Sequence, residues 1–543
     1  MITHSLIDGE EVKTENLFSS INPFNEEPIA KISISGEREI NTAVESAARA
    51  FSFWSLLSYE ERGNYLRKIN KIILEEIDEI ARLIALEQGK PVDEAKSVDI
   101  LPAMDAIKYY SKNTKRLLKE RVMEPHLILF SSKRGKIVFE PLGTIAIITP
   151  WNFPFCIPIV EIAASLITGK TVVLKPSSLT PLTGLKIGDI ARKAGLPPGV
   201  LNVVIIGGSD TVYLTEHPDI HGIKFTGSVG TGKKVLCSSS KNIIPTVLEL
   251  GGKDPAVVAE DAPMERAVKG TVWGALFNCG QVCASIERLY VEHEIYHEFV
   301  RRCVDEVEKL KVGDPLEADT DIGPMASREQ LETVKAHLKD AVEKGAKIVT
   351  GGEELSDKGF LLSPCILIDV NHTMKIMTEE TFGPVIPIMS VSSIDEAIKL
   401  ANESIYGLTA SGWTSSKATA DKLLRELKAG VVTINDSVFS FIEASAPWGG
   451  IKRSGIGRSH SVFGLLSTVN IKYVNYDKGA KRTALWWFPY DSGYSKFINS
   501  AIPALYQTSF YGKIKRLGLL LKNPRFLFNV NLWSMIKNIG KIF

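Results

Sequence analysis

Apolar residues recur at three- and four-residue spacing through most of positions 37–118. In "EREINTAVESAARAFSFW" and again in "NKIILEEIDEIARLIALEQGK" they line one side of a helical period, and the second run stops at Gly89. That spacing predicts amphipathic helices, and the glycine predicts a helix end. From about residue 142 the texture changes. Short apolar runs, "TIAIIT", "KTVVLK", "NVVIIG" and "IKFTG", alternate with helical stretches such as "PLTGLKIGDIARKAG". Such alternation predicts βαβ units and a doubly wound parallel sheet, which binds ligands beyond the carboxyl ends of its strands. A second alternating region runs from about 252 to 450, with "YHEFVRRCVDEVEKL" and "REQLETVKAHLKDAVEKG" as its long helical pieces. A helix near 264–277 would deliver "NCGQVC" into a loop. Two alternating halves imply two α/β domains with a cleft between them, a common place for an active site.

Composition narrows this only slightly. At 543 residues the chain exceeds what one hydrophobic core can serve, so it divides into about two to four domains or subdomains. With 44% hydrophobic and 23% charged residues and a net charge of +1, nothing overall marks a nucleic-acid or membrane protein. Six cysteines are too sparse for a disulfide framework, which points to a reducing, cytoplasmic setting. The N-terminal stretch lacks the basic and apolar regions of a signal peptide. No run of 18 apolar residues occurs, so no transmembrane helix is expected.

The candidate chemistry lies in loops that follow the predicted strands. Cys279 and Cys283 sit four positions apart in "FNCGQVCAS". A structural zinc site needs four ligands, usually two close pairs, and there is no second pair here. Cys156, Cys237, Cys303 and Cys365 are scattered and read as packing. Cys283 follows Gly280 and Gln281, an irregular polar turn in which a thiol can be reactive. Asn152 in "TPWNFPF" is held between Pro150 and Pro154; its amide could donate to a developing oxyanion, or serve only the turn. Lys175 in "LKPSS" ends a strand, where a cation can meet a ribose or phosphate, or be a surface lysine. "FTGSVGTG" (225–232) reads as strand, glycine-rich turn and helix, a weak phosphate signal on its own. Glu249 in "LELGGKDP" ends a strand before two glycines and could act as a general base. "EETFGP" (379–384) sets an acid beside an aromatic residue.

Taken in order, "PWNFP", "KPSS", "FTGSVGTG", "LELGGK", "GQVC", "EETFGP" and "PWGGIKRSGIG" closely resemble the aldehyde dehydrogenase superfamily, from about residue 5 to 476. The resemblance implies that Cys283 is the nucleophile, Asn152 the oxyanion donor and Glu249 the general base, with Cys279 a bystander. It implies cofactor contacts at Trp151, Lys175, Gly227, Ser228, Gly232, Glu380 and Phe382, and no metal. NAD or NADP is the implied cofactor. Many NAD-preferring relatives carry a glutamate where this chain has Ser178, so tolerance of NADP is expected. The implied fold is a cofactor domain (1–120 and 142–250), a catalytic domain (251–450) and an oligomerisation element (121–141 and 465–477), assembled as a homodimer or homotetramer. The reaction implied is oxidation of an aldehyde to a carboxylic acid. A CoA-acylating relative is disfavoured by Glu249, and a non-enzymatic protein with this fold by the joint retention of the site residues.

Residues 478–543 fall outside the resemblance. They hold 11 of the 64 Lys and Arg and one of the 63 acids, so the tail is about +10 and the remaining body, with 53 bases and 62 acids, about −9. Thirteen of these 66 residues are aromatic. In "FNVNLWSMIKNIGKIF" the residues Phe528, Leu532, Met535, Ile536, Ile539, Ile542 and Phe543 share one helical face. A basic, aromatic, amphipathic tail fits an anionic membrane surface; the alternative is packing on the acidic body or on a neighbouring subunit. Membrane contact would favour long-chain or otherwise hydrophobic aldehydes over succinic semialdehyde or betaine aldehyde.

Overall fold

The computed structural model describes residues 2–125, 127, 130, 133–477, 484, 486–506, and positions 508, 509, 511, 515, 518 and 522. The amphipathic run 528–543 lies outside the described residues. The chain forms two compact units, one of Met1–Leu117 with Pro141–Val469 and the other of Leu118–Glu140 with Asn470–Phe543.

The larger unit is built on two large sheets and also holds a three-stranded one, Ile2–Thr3, Pro28–Ser33, Leu17–Ile21. The eight-stranded sheet runs Gly455–Ile456, Thr246–Leu250, Ile220–Gly227, Thr144–Ile148, Thr171–Lys175, Leu201–Val203, Ser5–Ile7, Glu10–Val12. Its five middle strands are parallel, as the alternation with helices predicts. The two N-terminal strands at one edge are antiparallel and too short to show in the hydrophobic pattern. The seven-stranded sheet runs Lys347–Thr350, Cys365–Ile368, Val385–Val391, Ile286–Glu292, Asp254–Val258, Thr409–Trp413, Val431–Ile434, and all but its first pair are parallel.

The helices expected from the periodicity are present as Glu37–Trp54, Tyr59–Glu75, Ile77–Gln88 and Leu101–Leu117. Tyr59–Glu75 starts where the sequence supplies its own cap. The Ser58 hydroxyl accepts from the Glu61 amide at 3.3 Å, and the Glu61 carboxylate accepts from the Ser58 amide at 2.7 Å. The reciprocal pair satisfies two N–H groups that the helix itself cannot. Gly89 ends the third helix in the left-handed region, φ +90°. Between Ile77–Gln88 and Leu101–Leu117 the backbone widens into a π-turn, Ala95–Ile100, which periodicity alone does not reveal. The helix Met264–Leu276 leads into the cysteine loop as expected.

The smaller unit pairs Val469–Asp477, Lys133–Pro141 and Arg121–Met123 in that order. Lys133 forms an ion pair with Asp477, and Phe130 meets Trp486 edge to face at 4.6 Å. The tail helix Ser492–Tyr506 buries Phe497, Ala501 and Ala504, while Trp487, Phe488, Tyr490 and Tyr506 are exposed. No helix among the described residues is long and apolar enough to cross a membrane.

Packing under the seven-stranded sheet is tight enough to dictate a glycine. A β-carbon on Gly270, in the helix Met264–Leu276, would stand 2.2 Å from the Trp413 ring, which is 1% exposed and has nowhere to move. Gly270→Ala gains roughly 1 kcal/mol of helix propensity but loses roughly 1–3 kcal/mol or more to overpacking. The variant should melt at a lower temperature than the parent; an unchanged or raised melting midpoint would refute the packing argument.

Candidate active site

Six segments converge on one cavity of about 810 Å³ in the larger unit. Trp151 and Asn152 follow the strand Thr144–Ile148, and Lys175 closes the strand Thr171–Lys175. Gly227 and Ser228 end Ile220–Gly227, and Glu249 lies near the end of Thr246–Leu250. All four strands are parallel, so their carboxyl ends open together. Cys283, Glu380 and Phe382 complete the wall.

The two neighbouring cysteines have different fates. Cys279 is buried, its Sγ 3.6 Å from the Met325 sulfur. Cys283 is half-buried and faces the cavity. Burial, followed by the charges of Asp254, Glu380 and Glu249, pushes its thiol well up, and the Ala284 backbone N–H offsets this only in part. All six cysteines are free. Asn152 is 2% exposed and gives one amide hydrogen to the Gln281 carbonyl at 3.0 Å. A primary amide has two such hydrogens, so the second is available on the cavity side.

Glu249 is buried, and neither carboxylate oxygen has a hydrogen-bond partner. Burial, then the neighbouring charge of Glu161, raises its pKa well above the carboxylate range; Arg458 opposes this. An unpartnered buried carboxylate with a high proton affinity can take a proton from water. Glu161 was not among the residues expected from sequence. It lines the cavity, forms a buried ion pair with Lys224 and accepts from the Ser459 hydroxyl at 2.6 Å. A signal for it exists: it is the lone charge in the fully buried helix Cys156–Ile167, and Lys224 is a charge within the apolar strand Ile220–Gly227. Two opposite charges in buried elements must find each other.

On the glycine-turn side the cation of Lys175 is half-buried with no ion-pair partner among the described residues, and burial lowers its pKa. Ser228 caps the helix Val229–Ser239 by accepting from the Thr231 amide at 3.3 Å. The structure does not bring Ser178 or Gly232 to the cavity wall. Ser178 is exposed, and Ser177 lines the cavity instead. Gly232 is a packing glycine: a β-carbon there would stand 2.5 Å from the Leu250 side chain.

The "EETFGP" loop is clamped through its backbone. The Glu287 carboxylate accepts from the amides of Thr381 and Phe382, both at 2.8 Å, and from the Lys253 ammonium at 2.6 Å. The Gln330 amide donates to the carbonyls of Thr381 and Phe382 at 2.9 and 3.2 Å. Phe382, held at φ +55°, meets Trp151 edge to face at 5.4 Å. The Glu380 carboxylate lies over Gly251, where a β-carbon would come within 2.1 Å of it, and accepts from the Gly252 amide at 3.2 Å. Burial and then Glu287 push its pKa up to about 8. An unpaired lysine, a helix N-terminus, an aromatic pair and a buried carboxylate line the cavity, a set whose chemistry fits a dinucleotide.

The family model described as "Aldehyde dehydrogenase family" matches residues 10–474. The chain is 37% identical over 492 residues to betaine aldehyde dehydrogenase of Bacillus subtilis, covering 89% of this chain and 98% of the relative. It is 35% identical over 459 residues to a probable NADP-named succinate-semialdehyde dehydrogenase of Sinorhizobium fredii, covering 84% and 92%. Among solved structures, betaine aldehyde dehydrogenase of Staphylococcus aureus in complex with NAD+ superposes with a TM-score of 0.84 at 32% identity, over 90% of this chain and 97% of that one. With strand order, cavity and motifs in agreement, the chain belongs to the aldehyde dehydrogenase family and is an NAD(P)-dependent oxidoreductase acting on aldehydes.

Proposed function

We propose that the chain oxidises a small aldehyde to its carboxylic acid through a thioester on Cys283 that is hydrolysed with Glu249 as base. The convergence of Cys283, Asn152 and Glu249 on one cavity with Lys175 and Glu380 carries this reading. The Cys283 thiol gives up its proton to solvent and its sulfur attacks the aldehyde carbon, and the oxygen that becomes negative is met by the second Asn152 amide hydrogen. Lys175, Ser228 and Glu380 would hold NAD(P)+, which would supply the hydride acceptor. Loss of hydride from the carbon leaves an acyl group on Cys283. Glu249 then takes a proton from water as the water oxygen attacks the acyl carbon, and the thiolate departs. Because Glu249 has a raised pKa, this base is available only above the ordinary carboxylate range.

The far wall of the cavity argues for the class of aldehyde. Phe441 and Trp448 meet edge to face at 5.2 Å, with His460 at 5.7 Å from Phe441. Burial lowers the His460 pKa to about 4, so it is neutral near pH 7. The lysines on the cavity wall, Lys175 and Lys234, belong to the glycine-turn side. An aldehyde with an uncharged or cationic far end suits this aromatic wall, whereas an acidic end would find no cation among Phe441, Trp448 and His460, the nearby Lys224 being paired with Glu161 and Arg458 lying beside Glu249. The long-chain aldehydes that a membrane-bound tail would favour have no support among the relatives, which are named for betaine aldehyde and succinic semialdehyde.

Three measurements test these assignments. Cys283→Ala should abolish NAD(P)H production while Cys279→Ala keeps most of it; an active Cys283 variant would overturn the mechanism. Glu249→Gln should release a burst of about one NAD(P)H per site and then nearly stop, and an unchanged steady rate would remove Glu249 from the hydrolytic step. Across propanal, 3-aminopropanal, betaine aldehyde and succinic semialdehyde, kcat/KM should be lowest for the last. A preference for succinic semialdehyde would contradict the aromatic-wall reading.

A further inference from the structure

Behind the Asn152 loop lies a buried polar cluster that the catalytic steps do not use. The Lys90 ammonium and the Asp99 carboxylate, both 0% exposed, pair at 2.8 Å, with Asp99 set in the π-turn Ala95–Ile100. Asp99 also accepts from the Cys156 amide at 2.5 Å, and Lys90 donates onward to the Asn152 carbonyl at 3.0 Å. The same carbonyl receives the Asn278 side chain, also at 3.0 Å. The Asn278 amide gives its other hydrogen to the Gln281 carbonyl at 3.1 Å, which is the carbonyl that fixes Asn152. Its Oδ1 accepts from Gln88 at 2.9 Å, its backbone N–H donates to Glu94 at 2.6 Å, and its backbone carbonyl accepts from the Gln281 side chain at 3.2 Å. Asn278 is 1% exposed and sits in the left-handed region, φ +53°, which asparagine tolerates better than most residues.

Two loops meet at this one side chain. One carries Asn152, and the other carries Cys283 two residues beyond Gln281. We propose that Asn278 is a positioning residue for the reaction, a bridge whose two amide hydrogens fix the Asn152 amide relative to the nucleophile, with the Lys90–Asp99 pair as its rigid backing. The proposal rests on Asn152 being the oxyanion donor. The Asn278 side chain has both amide hydrogens and its oxygen bonded, to Asn152, Gln281 and Gln88, and is stiffly held, while Gln88 Oε1 and Glu94 Oε2 at the edge of the cluster have no partner; an oxyanion donor is effective only where its geometry is set before the charge develops. Loss of the bridge should therefore slow the chemistry while leaving substrate and cofactor binding in place.

The test is a double-mutant cycle on the full chain, comparing Asn152→Ala, Asn278→Gly and the pair. Glycine removes the bridge and keeps the left-handed backbone. Asn278→Gly should lower kcat about 10- to 100-fold, the scale of a small misplacement. The KM for the aldehyde and the Kd for NAD(P)H should stay within about twofold, since uniform binding is untouched. If Asn278 acts through Asn152, the double variant should fall within about threefold of Asn152→Ala alone, because coupled residues are not additive. Asn278→Asp, nearly isosteric, replaces both donors by acceptors and should be at least as slow as Asn278→Gly. Multiplicative losses in the cycle, or a wild-type rate in Asn278→Asp, would overturn the positioning role. A wild-type rate in Asn152→Ala would instead remove the oxyanion assignment, and this proposal with it.

Discussion

Ile148 pairs with Lys175 on one side and with Phe225 on the other, and one strand further Thr226 pairs with Glu249. This parallel register is the constraint on which the site depends. Side chains alternate across a strand, so a slip of one residue would turn Lys175 or Glu249 to the opposite face of the sheet. The register is in turn held by burial, since the strand Thr144–Ile148 is covered along its whole length. The site is thus placed by hydrophobic packing some distance from the chemistry, and the polar loops add detail to a position already fixed.

The second level of control is electrostatic. Glu161 with Lys224, Lys90 with Asp99, and Lys253 with Glu287 are buried ion pairs around the cavity. Taking such groups from water is costly, and each pair is tolerable only because further hydrogen bonds complete it. Glu249 is the exception, buried among these pairs without a partner of its own. Its high proton affinity follows first from burial and then from the Glu161 charge, and it is a carboxylate that the network leaves out.

Much of this was legible in the chain. The strands around Ile148, Lys175, Phe225 and Glu249 announced themselves as apolar runs, and each motif sits where its run ends. What sequence could not separate were residues one step apart whose roles depend on direction. Ser177 faces the cavity and Ser178 faces solvent, and Gly232 serves Leu250 and not the cavity. Glu161 and Asn278 escaped for another reason. Their partners lie 63 and 126 residues away, at Lys224 and Asn152, and only the folded chain shows the pairing. The N-terminal antiparallel strands were too short for any periodicity to register.

At Phe382 the hydrogen-bonding clamp grips only main-chain atoms, whereas at Thr381 the Lys253 ammonium also holds the side-chain hydroxyl at 3.0 Å. Glu287 and Gln330 hold the N–H and C=O groups of both residues. At Phe382 shape and chemistry are therefore encoded separately: the side chain can be exchanged during divergence while the loop keeps its course. Glu287 has no such latitude, because losing its charge would release two amides and leave the Lys253 ammonium without its carboxylate at once. Variation at this cavity-lining position can thus accumulate over a fixed backbone, with the freedom of one lining residue secured by the immobility of a buried one.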